Sequence, residues 1–324
     1  MPSPFVSLVV LNWNGASIVR ECIESLQKLE YPATEIIVVD NGSTDDSIAV
    51  IESVGGISIV KNRTNLGYAG GLNAGIRAAK GTYVATINND ITADPAWLNE
   101  IIPLLESDGA IGIISGRQMN YLNRDIIDAL YSYLHPSLIF FQEAFRKRYD
   151  AAMHGTSPVR VLGVSGASTI YRKKMLEELN GLDETLFAYH EESDLCMRAF
   201  LAGWKCIFVP SAVTYHRRSV SFNRIKGAMF YYQTRNRLWF IYKYSPLSLI
   251  LTNAGWIILT ELRILRVVIF RERVLFSYIK GLLDGMGGMF GFKAVRRSNI
   301  ALLRKKMPEY SLLIKKKFIP FYKG

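Results

Sequence analysis

Short apolar, β-branched runs alternate with amphipathic stretches along the first ninety residues. Val6 to Leu11, Glu35 to Asp40 and Ile57 to Lys61 read as buried strands, and a fourth begins at Thr82 and stops in the polar triplet Asn88-Asn89-Asp90. Between them, Ala16 to Leu29 sets Ile18, Val19, Cys22, Ile23 and Leu26 at helical spacing. Asp45 to Ser53 and Gly70 to Lys80 supply two more helices. Strands and helices alternating in this way predict βαβ units and a mostly parallel sheet, an α/β fold.

Farther on, Asp94 can cap a helix that has Pro95 at its first position and runs to about Ser107, with a strand from Ala110 to Ser115 after it. Gln118 to Ser157 is polar, aromatic and irregular, the pattern of a variable insertion or lid. Val161 to Tyr171 returns to small and β-branched residues, Lys173 to Leu179 reads as a helix ended by Asn180-Gly181, and Glu192 to Ala202 as one ended by Gly203. Cys206 to Val209 is the expected last strand, closed by Pro210. Beyond Arg224 the pattern is mainly helical, with Gly281 to Gly291 as a glycine-rich break and Arg304 to Lys317 as a basic amphipathic end. The expected division is an α/β domain over residues 1–224 and a helical region over 225–324.

Charge sharpens that division. Residues 1–216 hold 17 Lys and Arg against 24 acids, whereas 217–324 hold 22 against 4. A basic tail of this kind can bind nucleic acid, but its wealth of Leu, Ile, Phe, Tyr and Trp suits an anionic bilayer surface better, where each cation contributes about 1 kcal/mol. The longest apolar run, Ser245 to Thr260, contains Asn253 and falls short of the ~20 residues a spanning helix needs. An interfacial or partly embedded position on a membrane is therefore expected. Phe5 to Leu11 is too short for a signal sequence and lacks a basic leader. Cys22, Cys196 and Cys206 have no metal or disulfide spacing, which points to buried thiols in a reducing setting.

Candidate chemistry lies at the strand ends. Asp90 sits just past a buried strand, where open α/β sheets bind ligands and where a hard cation such as Mg2+ or Mn2+ finds oxygen donors. Asp40 follows the second strand, and its carboxylate can accept hydrogen bonds from a nucleobase or ribose, while Asn41-Gly42-Ser43 makes a tight turn with free backbone N–H groups. A capped turn explains the same residues, since Ser43 or Thr44 would cap the next helix. Gly70 to Asn73 belong to a glycine-rich stretch at a helix start that permits close backbone approach to a ligand. Gly163 to Ser168 could line a pocket or form a close-packed strand, and Trp13 and Tyr189 could stack on a ligand or be buried.

The order of these pieces over about residues 5–220 resembles family 2 glycosyltransferases of the GT-A fold. Leu8-Val9-Val10-Leu11-Asn12-Trp13-Asn14-Gly15 looks like that family's opening strand and nucleotide-contacting loop, implicating Asn12 and Asn14. Asp40 matches its base-recognising carboxylate, and Asn88-Asn89-Asp90 takes the place of its D-x-D triplet. Glu191-Glu192-Ser193-Asp194-Leu195-Cys196-Met197-Arg198 is similar to its E-D-x-D-L-x-x-R motif, and Val213-Thr214-Tyr215-His216 resembles the strand whose histidine completes the metal shell in several members.

The resemblance implies an inverting transfer of a sugar from a dTDP- or UDP-linked donor, with Mg2+ or Mn2+ held by Asp90 and His216. Glu192, beside Glu191, stands at the position of the general base. Tyr231-Tyr232-Gln233-Thr234-Arg235-Asn236-Arg237 resembles bacterial rhamnosyltransferase-like members, which implies dTDP-rhamnose. The expected partners are a nucleotide sugar, a lipid-linked glycan or polysaccharide acceptor and an anionic membrane surface on the cytoplasmic side, with no nucleic acid and with the oligomeric state open. Two departures, Asn88 for the first acid and Glu192 for the usual Asp, motivate an alternative. That alternative is a catalytically impaired GT-A protein that binds sugar nucleotides or membranes. For Asp194 and Arg198, an i to i+4 ion pair explains the residues as well as catalysis does.

Overall fold

The computed structural model describes residues 3–218 and 226–313. They fall into two compact units, one built from the described residues among 1–132, 142–187 and 191–220, the other from those among 133–141, 188–190 and 221–324. The expected boundary between 224 and 225 lies outside the described residues.

In the first unit, β1 (Val6–Asn12), α1 (Val19–Gln27), β2 (Thr34–Asp40), α2 (Ser47–Glu52), β3 (Ser58–Lys61), α3 (Gly67–Ala78) and β4 (Tyr83–Asn88) follow the expected alternation. Next come β5 (Ile91–Ala93), α4 (Ile102–Ser107), β6 (Ile111–Asn120) and β7 (Ile127–Ala129), after which the chain passes through the hairpin β8 (Ser132–His135) and β9 (Ile139–Gln142), most of which belongs to the second unit. The unit closes with α5 (Ala151–His154), β10 (Val159–Val161), β11 (Ser168–Arg172), α6 (Lys173–Glu178), α7 (Glu191–Ala202) and β12 (Lys205–His216). The main sheet runs β10-β12-β6-β11-β4-β1-β2-β3. Neighbours from β4 to β3 are parallel, as are β6 and β12, and β11 is inserted antiparallel between β4 and β6. The result is a mostly parallel central sheet.

Both faces of that sheet are covered. Val6, Leu8 and Val10 of β1 pack into one apolar cluster with Val19, Cys22, Ile23 and Leu26 of α1, while Val9 points into another with Leu72 and Ile76 of α3. Two-sided burial is why the strand reads as a continuous apolar run. Removing the Leu26 side chain from such a site typically costs about 2–5 kcal/mol. Gly75 lets α3 lie close on the sheet, because a Cβ there would come within 2.3 Å of a Val9 methyl group.

Four sequence expectations need correction. The segment after Asp94 opens with turns rather than a regular helix: Asp94 accepts the Ala96 N–H, but regular helix starts only at Ile102. Pro103 follows at once and has no N–H to donate back into the preceding turn. The last strand does not stop at Pro210; β12 continues to His216 through a register shift between Val209 and Val213. Proline is tolerated at such a bulge. Opposite the bulge, Gly116 makes room where a Cβ would sit 2.1 Å from the Ala212 carbonyl oxygen. The stretch from Gln118 is likewise not all insertion, because Gln118 to Asn120 extend β6 and Ile127, Asp128 and Ala129 form buried β7. The three residues of β7 are too few to give a periodic signal.

The fourth correction concerns the second unit. Its helices are α8 (Lys226–Tyr244), α9 (Leu247–Thr252), α10 (Ala254–Arg266), α11 (Leu275–Gly288), α12 (Lys293–Lys305) and α13 (Met307–Leu313). Gly281, Gly285 and Gly288, from the stretch expected to break the chain, instead lie along α11 and let α8 approach it. A Cβ on Gly281 would sit 2.6 Å from the Tyr231 carbonyl oxygen, one on Gly285 2.8 Å from Leu238, and one on Gly288 2.8 Å from the Trp239 ring. The Trp239 indole donates to the Gly285 carbonyl. Phe240 packs against Phe140, His190 and Tyr244, and Asn236, fully buried, donates to the carbonyls of Ala188 and Tyr189.

The apolar run from Ser245 is split at Asn253 into α9 and α10. No helix among the described residues is long and apolar enough to cross a membrane. Most of the exposed large apolar side chains among these residues lie between 247 and 302, with Phe270 and Phe276 the most open. The expected basic end from Arg304 to Lys317 is described only as far as 313.

Candidate active site

The parallel pairing of β1 with β2 sets Asn12 opposite Asp40, both buried at the C-terminal ends of their strands. Asn12 Nδ2 donates to Asp40 Oδ1 at 3.2 Å and to Ser43 Oγ at 3.3 Å, and Asp40 Oδ2 accepts the Ser43 N–H at 3.2 Å. Asn12 Oδ1 in turn accepts Asn89 Nδ2 at 2.8 Å. This contact needs Gly15, since a Cβ there would come within 2.1 Å of Asn89 Nδ2 and 2.4 Å of Asn12 Oδ1. One polar chain thus joins the ends of β1, β2 and β4. Asn14, at φ 51°, accepts the Thr44 N–H, and Gly42, at φ +75°, lies where a Cβ would collide with the Thr64 backbone. The turn after Asp40 therefore requires glycine.

Asn88 ends β4, and its Oδ1 accepts the Tyr68 hydroxyl at 2.9 Å. The same hydroxyl lies 3.0 Å from the Gly166 carbonyl oxygen, and the Asn88 N–H donates to the Ala167 carbonyl. Tyr68 on α3 therefore ties the triplet to the loop before β11. That loop meets Glu192: a Cβ on Gly166 would sit 2.1 Å from Glu192 Oε1, and the Gly166 N–H bonds the Glu192 carboxyl. Of the stretch from Gly163 to Ser168, Gly166 thus faces the acidic pair, while Ser165 and Ser168 are packed against Gln118.

Glu191 and Glu192 open α7, and Glu191 is buried with no hydrogen-bond partner for its Oε2 atom. Burial, then repulsion by Glu192, pushes the Glu191 carboxyl well above the usual range. Burial also raises Glu192, while hydrogen bonds from its own N–H, from Gly166 and from Glu191 act the other way. Of the two, Glu191 is pushed further toward its neutral form, and Glu192 accepts hydrogen bonds from Gly166 and from Glu191. Three residues just before the pair, Phe187, Tyr189 and His190, hold positive φ, a strained backbone of the kind that clusters at active sites. Asp194 and Arg198 form the i to i+4 ion pair at 2.7 Å, with Arg198 also donating to the Leu179 and Gly181 carbonyls.

Asp90 and His216 meet because β5 pairs antiparallel with the end of β12, setting His216 opposite Ile91 while the Arg217 N–H donates to the Asp90 carbonyl. His216 Nε2 lies 3.2 Å from Asp90 Oδ1, and Nδ1 lies 2.7 Å from Asp128 Oδ2. Asp128 also pairs with Arg218. Burial alone would lower His216, but its hydrogen bonds to Asp128 and Asp90 outweigh that and push it up to about 9. Burial would raise Asp90, yet the His216 hydrogen bond and charge hold its carboxyl below the usual range.

The donor chemistry fits a divalent cation. A carboxylate oxygen and an imidazole nitrogen face each other, and the second imidazole nitrogen is bonded to a carboxylate, as in most histidine metal ligands. Among the described residues no group of three or more His, Cys, Asp or Glu is placed to hold an ion. A mixed oxygen and nitrogen pair suits Mn2+ better than the strictly oxygen-loving Mg2+.

The structure therefore brings Asn12, Asp40 and Asn89 into one network, Asn88 and Glu192 to either side of Tyr68 and Gly166, and Asp90 against His216. It places Asn73 elsewhere: its side chain donates to Leu182 O and Glu184 Oε1 and accepts the Leu182 N–H, pinning the turn before α7. Gly70 lies in the first turns of α3, where a Cβ would meet Leu66 at 2.9 Å. Sequence reasoning offered Gly166 only as part of the stretch from Gly163 to Ser168, and it missed the roles of Tyr68, Asp128 and Arg218. One signal was available, a lone acid between Ile127 and Ala129.

A model of the family described as glycosyl transferase family 2 matches residues 7–179. A Haemophilus influenzae protein described as an uncharacterized glycosyltransferase is 34 % identical over 112 residues, 33 % of this chain and 35 % of that one. A succinoglycan biosynthesis protein of Rhizobium meliloti is 25 % identical over 233 residues, 68 % of this chain and 63 % of the other. The chain thus spans less than two thirds of the length of these curated relatives. S. aureus TarS in complex with UDP-GlcNAc superposes with a TM-score of 0.57 at 15 % identity, over 99 % of this chain and 97 % of that one. The mannosyltransferase PcManGT from Pyrobaculum calidifontis, in complex with GDP-Man and Mn2+, gives 0.54 at 15 % identity, over 97 % and 86 %. At such identities the likeness to these structures shows the fold. Taken with a family match across more than half of its length, it establishes that the chain belongs to glycosyl transferase family 2 and has the GT-A fold.

Proposed function

We propose that the protein transfers a sugar, with inversion, from a nucleoside-diphosphate donor to a lipid-linked or polysaccharide acceptor. The observation that carries this reading is the meeting of Asp90 and His216, far apart in the chain, at 3.2 Å beside the polar end of β4. Asp90 and His216 would hold a divalent cation, which stabilises the charge that develops on the departing diphosphate. Asp40, at the neighbouring strand ends, receives the base or ribose. Glu192 takes the proton of the acceptor hydroxyl as it attacks, and Glu191, which keeps its own proton, leaves Glu192 as the base. One base and one displacement give inversion at the anomeric carbon.

The donor in this reading is dTDP-rhamnose, supported by the likeness of Tyr231 to Arg237 to rhamnosyltransferase-like members. The place of action is the cytoplasmic face of the membrane, held peripherally or partly embedded through the C-terminal region. Exposed Phe270, Phe276 and Leu283 among 22 Lys and Arg support that placement. A panel of dTDP-, UDP- and GDP-sugars with Mn2+, read by release of nucleoside diphosphate, tests the reading. Turnover should need the metal and disappear in Asp90→Ala; full turnover in that variant would overturn the assignment.

A further inference from the structure

Asp128 is a buried acid on β7, only 3 % exposed, in a stretch whose sequence carries no site motif. β7 pairs antiparallel with β6, and β6 pairs on its other edge with β12, so the fold draws Asp128 and His216 to the end of the same strand. Its Oδ2 lies 2.7 Å from His216 Nδ1, and its Oδ1 takes the Nε of Arg218, which also lies over the Phe145 ring. Each carboxylate oxygen therefore has its own donor, and the orientation of the carboxylate is fixed from two sides.

The consequence falls on the far side of the imidazole ring. Once Nδ1 carries the proton shared with Asp128, a neutral His216 has its lone pair on Nε2, the atom that faces Asp90 at 3.2 Å. That is the tautomer and ring orientation a cation shared with Asp90 requires. We infer that Asp128, steadied by Arg218, is the positioning residue that presents His216 Nε2 to a divalent cation. The inference rests on the metal assignment made above.

The test is the Mn2+ affinity of the full chain in the presence of UDP at about pH 9, where proton competition at His216 is weakest and its relief in a variant cannot mask a lost ligand, by titration calorimetry or by the electron paramagnetic resonance of free Mn2+, alongside the affinity for UDP without metal. Asp128→Asn should weaken Mn2+ binding about 10- to 100-fold, the usual effect of losing such a partner, and leave metal-free UDP binding unchanged. His216→Ala should weaken Mn2+ as well. Wild-type Mn2+ affinity in Asp128→Asn, with weakened binding in His216→Ala, overturns this inference and leaves the metal assignment standing. Wild-type affinity in His216→Ala overturns the assignment itself. Should Asp128→Asn fail to fold, side-chain 15N spectra of histidine in the wild-type protein with UDP and Mg2+ decide the matter. A proton on Nδ1 of His216 is the expected result, and a proton on Nε2 overturns the inference.

Discussion

In the metal-free protein the raised pKa of His216 favours the imidazolium, whose Nε2 faces Asp90 while Nδ1 faces Asp128, and a cation bound at Nε2 must displace the proton there. With the imidazole raised to about 9, against about 6.5 for a free side chain, proton competition at about pH 7 weakens Mn2+ binding about 100-fold relative to the deprotonated site. That factor corresponds to about 3 kcal/mol. Affinity should therefore rise about tenfold per pH unit between about pH 6.5 and about pH 8.5, with about one proton released per ion. Calorimetry in buffers of different ionisation enthalpy counts that proton, and His216→Gln should remove most of the pH dependence. An affinity flat across this range, with no proton released, would refute the reasoning. The same shift sets the stability of the metal-free protein. Because the folded state binds the His216 proton more tightly than the unfolded chain does, its contribution is complete below about pH 6.5 and is lost as pH rises through about 9. Asp90, held low, acts in the opposite sense and contributes less as pH falls through its folded value.

Further outcomes follow from the same geometry. The acid limb of the kcat/KM profile should lie above the ordinary glutamate range, because burial raises Glu192; a limb at or below that range would contradict its placement. Tyr68→Phe leaves the Asn88 and Gly166 acceptors without that hydroxyl and should cost about 1–3 kcal/mol of stability in urea denaturation. On α11, Gly281→Ala should destabilise by about 1–3 kcal/mol because α8 backbone occupies the space. Gly287→Ala, with open space around it, should instead stabilise by up to about 1 kcal/mol, and equal effects of the two would undo the account of the α8–α11 contact. Sedimentation with anionic vesicles should carry the wild-type protein down, and Phe270→Ser with Phe276→Ser should reduce the bound fraction several-fold; no change would remove these side chains from the membrane reading.

Much of the first unit was legible because both faces of its central strands are buried. The run from Val6 to Leu11 can hardly be anything but an inner strand, and the polar triplet after Ile87 marks where β4 reaches the edge of the core. The site was legible in its pieces, Asp40, Asp90, Glu192 and His216, through motif order. What joins them was not. Tyr68 is one aromatic residue in a glycine-rich stretch, and its role appears only when α3 is laid across β4 and the Gly166 loop. Asp128 hides in a three-residue strand whose pairing depends on β6 running five residues past its expected end. Pro210 misled for a related reason: proline forbids a regular ladder, but a bulge takes it, and His216 reaches Asp90 only because β12 resumes beyond that bulge. The glycines of α11 carry the same lesson, since their meaning depends on the partner helix and not on local propensity.

The most direct test of the central claim is the rate of nucleoside diphosphate release from the active donor, with Mn2+ present, in the wild-type protein and in Glu192→Gln. The substitution removes the base and keeps the shape, so the rate should fall by about 10²- to 10⁴-fold while donor binding is retained. Release by Glu192→Gln at the wild-type rate would contradict the account.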